Sequence, residues 1–294
     1  MAPHTIKEKH MNDIHVVRYF SSLITISKGK VIKITKPTIS HCPLAGFFYK
    51  GFGESESLST AELKKEIKKV IEDKIYKFGF CTEDRMVWKD EAVVPYGASE
   101  IMAHGLKSRF IDSAVTVCDG VGTVVTALPQ VVQGIGARMH AIIKTAYIPK
   151  VAIKLRRYGC YVLSDKGIID QRAGVAEAIK KGYKKVAVTV SAFGKESLKN
   201  IRALESRFDI SLTILVVCTT GAGRDRLSEI EKYADIVWTC HSGDVKDRLS
   251  GKAIKTMSSV SPVHILTEKG VKLIAGYSPN IFGMRKETKR SVAA

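Results

Sequence analysis

The chain has 294 residues, of which 45% are hydrophobic and 26% are charged, and this composition is ordinary for a globular protein with a sizeable core. No apolar run approaches the roughly 18 residues that a membrane span needs, and the N-terminal stretch lacks the apolar core of a signal peptide. We therefore expect a cytoplasmic protein with no membrane partner.

The charge is strongly basic, with 47 lysine and arginine residues against 29 acidic ones and a formal net charge of +18. Such a balance raises nucleic acids and small anions as partners. The lysine runs contain no interleaved aromatic residues that could stack on bases, so we do not expect a nucleic-acid binder. A small anionic substrate or coenzyme is the favoured ligand, while a partner enzyme and a homo-oligomer stay open.

The predicted fold class is α/β, and a smaller α+β lobe at residues 13–110 comes first. Two apolar runs on either side of Gly29 predict a β-hairpin, because glycine supplies the turn. A helix is predicted from Ser59, since Ser59-Thr-Ala-Glu62 is a capping box and the apolar residues after it recur at helical spacing. Gly79 is the expected end of that helix.

The second region, residues 111–276, is predicted to form a mostly parallel sheet flanked by helices. Short, nearly continuous apolar strands alternate there with helical segments, which is typical of a parallel sheet covered on both faces. The helix predicted from Pro129 to Ile143 contains Gly134 and Gly136, which indicates close approach of another backbone segment. Residues 277–294 form a basic tail.

The six cysteines lie far apart in a long chain: Cys42, Cys81, Cys118, Cys160, Cys218 and Cys240. Disulfide scaffolds are short, cysteine-dense and secreted, so we expect thiols or metal ligands instead. Inert packing is the competing interpretation for each cysteine, because a free cysteine behaves as a small hydrophobic residue.

Cys118, Cys218 and Cys240 each come at the end of a predicted strand and are followed by a turn. In open parallel sheets, ligands bind outside the carboxyl ends of the strands. Neighbouring strands are about 4.8 Å apart, so cysteines on adjacent strand ends can share a site. We therefore predict that the three cysteines face one edge of the sheet, with catalytic roles for Asp119, Cys218 and Cys240.

The turn after Cys118 has part of a dinucleotide-binding pattern. Gly120 and Gly122 match the first two glycines of G-x-G-x-x-G, but Val125 stands at the third position. The carboxylate of Asp119 would also repel a pyrophosphate. We therefore do not expect an NAD site.

A simpler anion site is predicted from the same turn. Backbone amides of Gly120, Gly122 and Thr123 could point at a carboxylate or phosphate, and Arg138 could clamp the same group. In this hypothesis Asp119 and the glycines line the mouth of a pocket.

No two cysteines have the C-x-x-C spacing of a zinc ribbon or a bacterial ferredoxin. Cysteines from distant loops can still hold an iron–sulfur cluster, because thiolates bind such clusters. The alternative is a thiolate nucleophile activated by a cation or a helix N-terminus. His41 beside Cys42 and His241 beside Cys240 are candidate bases, although adjacent side chains on a strand face opposite sides.

Six short motifs occur in order: His41-Cys-Pro-Leu44, Phe78-Gly-Phe-Cys-Thr82, Gly97-Ala-Ser-Glu100, Val117-Cys-Asp-Gly-Val-Gly-Thr-Val124, Val132-Gln-Gly-Ile-Gly136 and Gly182-Tyr-Lys-Lys-Val-Ala-Val-Thr-Val190. As an ordered set they resemble the methanogenesis marker protein 8 family. The resemblance implies an anaerobic, cytoplasmic setting, in which oxygen-sensitive metal chemistry is more plausible. It also points to Cys42, Cys81 and Cys118 as the thiols carried by the motifs.

These observations predict an enzyme of anaerobic coenzyme or sulfur metabolism. Cys42, Cys81 and Cys118 would bind an iron–sulfur cluster or form a thiolate site, and Arg138 with the Gly120–Thr123 turn would position a small anionic substrate. The alternative is a non-catalytic accessory protein that binds a cofactor or metal centre for a partner enzyme. A basic nucleic-acid binder would instead show affinity that falls steeply with salt.

Overall fold

A computed structural model of the protein describes residues 13–39, 41–48, 58–240, 242–257 and 261–279. The predicted base His241 and the basic tail from residue 280 onward lie outside the described residues. Among the described helices, none combines the length and the apolar character that a membrane crossing requires.

The described residues form two sheets with helices packed against them. In chain order the strands are β1 (His15–Tyr19), β2 (Ser22–Ser27), β3 (Lys30–Ile34), β4 (Ser113–Cys118), β5 (Gly122–Thr126), β6 (Ala141–Lys144), β7 (Tyr161–Val162), β8 (Lys185–Ser191), β9 (Ser211–Val217), β10 (Ile236–Trp238), β11 (Lys255–Met257) and β12 (Val263–Ile265). The helices are α1 (Pro43–Phe48), α2 (Thr60–Phe78), α3 (Ala98–Lys107), α4 (Pro129–Gly136), α5 (Pro149–Arg157), α6 (Gln171–Lys180), α7 (Leu198–Phe208), α8 (Arg224–Tyr233), α9 (Gly243–Ser250) and α10 (Glu268–Ile274).

The smaller sheet has the order β3-β2-β1-β6 and is antiparallel throughout. The β2–β3 hairpin turns at Gly29, whose φ is 68°. Helix α2 packs on this sheet, and its predicted ends are confirmed. Ser59 and Glu62 form the capping box, and Gly79 ends the helix in the left-handed conformation.

The larger sheet has the order β11-β12-β10-β9-β8-β4-β5-β7. Its centre, β4-β8-β9-β10, has three parallel pairs, while the two flanks contribute four antiparallel pairs. The sheet is therefore mixed, which corrects the prediction of a mostly parallel one. The cause lies in the short turn between Cys118 and Gly122, because a connection this short can only return the chain antiparallel.

Helices cover both faces of the parallel centre. Val186, Val188 and Val190 of β8 pack into one apolar cluster with residues of α6, α7 and α8. Ala187, on the opposite face of the same strand, packs into a second cluster with residues of α3 and α10. This alternation follows from the two-residue period of a strand, and it gives the central strands their nearly continuous apolar sequence.

The smaller sheet sits against the carboxyl ends of the central strands. Arg18 of β1 donates a hydrogen bond to the carbonyl of Thr220, just beyond β9. Thr145, which follows β6, accepts one from the N–H of Gly120, just beyond β4. The two sheets therefore meet at the edge where parallel α/β sheets bind ligands.

Candidate functional site

A cavity of about 180 Å³ lies at the carboxyl ends of the four central parallel strands. Each strand or the turn after it contributes to the wall, through Thr116, Ser191, Cys218 and Cys240. Most of the remaining wall comes from the start of α3 and from the segment between α4 and β6, which carries Arg138. The cavity therefore occupies the predicted edge, but of the three cysteines expected there only Cys218 and Cys240 line it, and Cys118 is buried in an apolar cluster.

Cys218 and Cys240 lie next to each other in this wall, because β9 and β10 are neighbouring parallel strands. Backbone N–H groups point at both sulfurs, that of Ala141 at Cys218 and those of Cys218 and Thr219 at Cys240. Desolvation, followed by the charge of Cys240, raises the pKa of the Cys218 thiol to about 12. Desolvation also raises the pKa of the Cys240 thiol, and its N–H donors oppose that rise.

Four non-glycine residues of the cavity wall have positive φ angles. The values are 53° for Tyr96, 60° for Arg138, 57° for Cys218 and 50° for Cys240. The left-handed conformation costs an ordinary residue about 1–2 kcal/mol. Such strain clusters at functional sites, where the surrounding fold holds it in place.

Arg18 supplies a positive charge behind the two thiols. Its guanidinium donates to Ser21 and Thr220 and stacks on the ring of Phe193, 3.4 Å from the centroid. Desolvation lowers the pKa of Arg18, and the thiolate charges of Cys218 and Cys240 oppose that effect. Arg18 in turn lowers the pKa of both thiols, against the larger effect of desolvation.

Arg138 lies in the cavity wall, as its proposed role as an anion clamp requires. Its guanidinium stacks over the rings of Phe48 and Phe78, at 4.3 Å and 5.3 Å from their centroids. The described residues that line the cavity include one acidic residue, Glu100. Its carboxylate accepts hydrogen bonds from the N–H of Val93 and the side-chain amide of Gln133, both at 2.9 Å.

Lys74 is a buried cation behind the same wall, with a side chain that is 1% exposed. Its ammonium donates to the carbonyl of Arg138 at 2.9 Å and lies 2.5 Å from Nε2 of His140, which lines the cavity. Desolvation lowers the pKa of Lys74 to about 7, while the charge of Cys42 raises it. Desolvation and the charge of Lys74 hold the pKa of His140 well below its ordinary value, so the ring is a neutral acceptor.

Asp119 is in the core and not at the pocket mouth, where the sequence placed it. It is 1% exposed, and it accepts hydrogen bonds from Nε of Arg85 at 2.7 Å and from the N–H of Cys81 at 2.5 Å. Arg85 is equally buried and also donates to the carbonyls of Gly134 and Ile135 in α4. The carboxylate therefore neutralises a buried arginine and is withdrawn from any ligand.

The Gly120–Thr123 turn also lies outside the cavity wall. The N–H of Gly120 donates to the hydroxyl of Thr145 at 2.7 Å, and that of Thr123 donates to the carbonyl of Ile168 at 2.9 Å. A methyl group on Gly122 would stand 2.1 Å from the same Ile168 carbonyl. Gly122 thus admits a neighbouring backbone segment, and the amides of Gly120 and Thr123 are already used, which corrects the predicted anion cradle.

The predicted metal ligands Cys42, Cys81 and Cys118 are not brought together. Cys81 and Cys118 are buried beside the Arg85–Asp119 pair, and desolvation raises the pKa of both thiols. The charge of Cys42 acts instead on Lys74 and Cys218. Among the described residues, no three histidine, cysteine or acidic side chains are placed to hold a metal ion.

Three basic residues near the site, Arg18, Lys74 and His140, were missed from the sequence. Lys74 did carry a signal, because it falls on the apolar stripe of α2, one turn after Val70 and Ile71. A lysine on a core-facing stripe is rarely buried without a partner. Arg18 and His140 have no such pattern, since their positions depend on how the two sheets meet.

Comparison with known proteins places the chain among archaeal sequences. The family model described as "Uncharacterized protein conserved in archaea" (DUF2099) matches residues 15–277. An uncharacterized protein of Methanocaldococcus jannaschii is 36% identical over 264 residues, which cover 89% of each chain. A chain of the F420-reducing [NiFe] hydrogenase complex from Methanosarcina barkeri aligns with a TM-score of 0.33 and 14% identity, over 63% of this chain and 72% of that one.

Proposed function

The chain belongs to this archaeal family, and we propose that it is an enzyme whose thiols act on a small anionic molecule. Cys218 and Cys240 are the reacting groups, and Arg138 binds the anionic group of the substrate. The observation that carries the proposal is that these three side chains share one cavity at the carboxyl ends of the parallel strands.

Cations around the cavity partly offset the desolvation that raises the pKa of the two thiols. Arg18 lowers the pKa of both, and Lys74 is close enough to Cys42 for their charges to interact. Nearby cations stabilise thiolates, which are the nucleophilic form of cysteine. The thiols are protonated at rest, and His140, whose pKa is well below its ordinary value, adds a neutral polar group to the wall.

The size of the cavity limits the substrate. A cavity of ~150 Å³ admits benzene. The about 180 Å³ available here therefore suits a molecule, or part of one, with on the order of six to ten non-hydrogen atoms. A small carboxylate, sulfonate or phosphate ester meets this limit.

Two earlier hypotheses stay predictions. The motifs predict membership of the methanogenesis marker protein 8 family and, with it, an anaerobic setting. The positions of Cys42, Cys81 and Cys118 do not fit an iron–sulfur cluster. Iron and acid-labile sulfide, measured on protein purified without oxygen, test the cluster directly, and protein that contains neither would contradict it.

The proposed site is tested with two alkylating agents of nearly equal size, anionic iodoacetate and neutral iodoacetamide. We expect iodoacetate to label Cys218 or Cys240 with saturation kinetics. The ratio of the iodoacetate rate to the iodoacetamide rate should be about tenfold higher for the protein than for free glutathione, which corresponds to ~1.4 kcal/mol of binding. The preference should disappear in Arg138→Gln, because the anion loses its cation. Peptide mass spectrometry measures each rate.

The matched control is Arg157→Gln, which removes an exposed arginine at the end of α5. It should leave the iodoacetate preference unchanged. Equal preferences in Arg138→Gln and the unchanged protein would contradict the anion site. Turnover of a small molecule by the pure protein separates an enzyme from the accessory protein that is the alternative.

A further inference from the structure

We propose that Cys218 and Cys240 form a reversible disulfide, and that the substrate is a small anionic disulfide or the thiols it yields. This inference rests on the proposed function, because it names the reaction of the same site. It is carried by the strand register, the donors around each sulfur and the charges behind them.

The adjacent ends of β9 and β10 place the two cysteines close together. Ile236 pairs with Leu215 and Val237 with Val216, and the chains stay adjacent past this ladder, because the N–H groups of Cys218 and Thr219 point at the sulfur of Cys240. Neighbouring strands are about 4.8 Å apart, so chains that continue side by side keep their α-carbons on the order of 5–6 Å apart. Disulfides join α-carbons that are about 4.4–6.8 Å apart.

The donors also distinguish the two sulfurs. The N–H groups of Cys218 and Thr219 both point at the sulfur of Cys240, and the Thr219 hydroxyl contacts it too. The sulfur of Cys218 has the N–H of Ala141. Successive N–H groups beside a residue with positive φ form a concavity that favours an anion, so Cys240 is the sulfur built to carry negative charge.

The pair also has an electrostatic reason to react together. The charge of Cys240 raises the pKa of Cys218, so two thiolates side by side are disfavoured in this poorly hydrated wall. One thiolate opposite Arg18 is tolerated, and a disulfide carries no charge at all. The site therefore favours the neutral dithiol and the disulfide over the doubly ionised form, and Arg18 lowers the cost of the single thiolate that reacts.

The reaction is a thiol–disulfide exchange in two steps. The Cys240 thiolate attacks one sulfur of R–S–S–R, so that a mixed disulfide forms and the first R–S⁻ leaves. Cys218 then loses its proton and attacks the Cys240 sulfur, which breaks the mixed disulfide and releases the second R–S⁻. In sum, R–S–S–R and two protein thiols give two R–SH and one protein disulfide, so the substrate disulfide is the oxidant.

The probe is dithiodiglycolate, a disulfide with a carboxylate on each half, and hydroxyethyl disulfide is its neutral counterpart. We expect dithiodiglycolate to remove two hydrogens from the protein and to link the peptides that carry Cys218 and Cys240. Thioglycolate should reverse the change. The anionic probe should react about tenfold faster than the neutral one, each rate being taken relative to that with free glutathione, and Arg138→Gln should remove the difference.

Single variants distinguish the two sulfurs. Cys218→Ser should trap thioglycolate on Cys240 as a mixed disulfide, whereas Cys240→Ser should slow the exchange at least about tenfold, since the stabilised thiolate is gone. Cys160→Ser is the matched control, because this buried cysteine lies outside the cavity wall, and it should react like the unchanged protein. Circular dichroism confirms that each variant is folded.

A bridge between Cys42 and Cys218, or no bridge after equilibration with dithiodiglycolate, would overturn the inference. If exchange is as fast in Cys240→Ser as in the unchanged protein, Cys240 is not the attacking thiol. If iodoacetate still labels the cavity in an Arg138-dependent way while no disulfide forms, the proposed function stands without this reaction. If neither Arg138-dependent labelling by iodoacetate nor the disulfide is observed, the proposed function is contradicted as well.

Discussion

At the scale of single residues, cysteines of this protein occupy two different environments, the core and the cavity wall. Cys81 and Cys118 are buried around the Arg85–Asp119 pair. Cys218 lies in a cavity wall beside cations. An acid after a strand-end cysteine looked catalytic in the sequence, and Arg85, 34 residues earlier in the chain, is what makes Asp119 structural instead.

The first prediction concerns Asp119→Asn, which keeps the shape of the side chain and removes its charge. Arg85 would remain buried without a counter-charge, and breaking a buried pair in this way costs about 3–5 kcal/mol. The free energy of unfolding in urea should fall by that amount. In the control, Glu83→Gln breaks an exposed pair with Lys150 and should cost at most about 1 kcal/mol. Equal losses in the two variants would contradict the structural role of Asp119.

At the scale of elements, short sequence motifs predicted the features that depend on a few neighbouring residues, such as the ends of a helix. The capping box and the terminal glycine predicted both ends of α2. The close backbone approach predicted at Gly134 is confirmed, whereas Gly136 admits the side chain of Ser99. A methyl group on them would stand 2.3 Å from the carbonyl carbon of Val87 and 2.5 Å from Cβ of Ser99. The helix predicted to continue after Gly136 was wrong, because Arg138 turns at φ 60° and Ala141–Lys144 becomes β6.

The strands that were missed are those whose pairing is decided at long range. The outer strand β11 has three residues, which is too short for any periodicity to show. Strand β5 was hidden because its first glycine resembled a phosphate-binding turn. By contrast, the placement of Cys218 and Cys240 followed from a topological rule about strand ends, which needs the element order and no side-chain contact.

The second prediction separates the two reasons for a glycine with positive φ. Gly182→Ala, at φ 89° with no atom within 4 Å of the added methyl group, should cost only the conformational penalty of about 1–2 kcal/mol. Gly122→Ala, at φ 79°, also drives its methyl group against the Ile168 carbonyl and should cost about 1–3 kcal/mol more. Unfolding in urea measures both. Similar losses would show that the 167–168 segment moves aside freely.

At the scale of the whole molecule, the site is assembled from both sheets. The larger sheet supplies the thiols, β1 of the smaller sheet supplies Arg18, and α2 supplies Lys74. The distances of Arg18 and Lys74 from the thiols could not be predicted, because they depend on how two separately patterned units pack. Lys74 is the part of that assembly whose energetic effect can be followed without knowing the substrate.

The last prediction is a pH dependence of global stability that belongs to Lys74. Its pKa is about 7 in the folded protein and about 10.4 in an unfolded chain. Between these values the unfolded state binds a proton that the folded state does not, so stability rises with pH. Below pH 7 both states are protonated, and the full penalty of the buried charge remains.

Comparison with Lys74→Met isolates this contribution, because the groups that do not interact with Lys74 titrate alike in both proteins and cancel in the difference. The free energy of unfolding of the unchanged protein, minus that of Lys74→Met, should rise between about pH 7 and pH 10 by up to ~1.4 kcal/mol per pH unit. Lys65→Met, which replaces an exposed lysine on the same helix, should give a flat difference. A flat difference for Lys74→Met as well would mean that the ammonium is hydrated, and that the wall behind His140 is open to water.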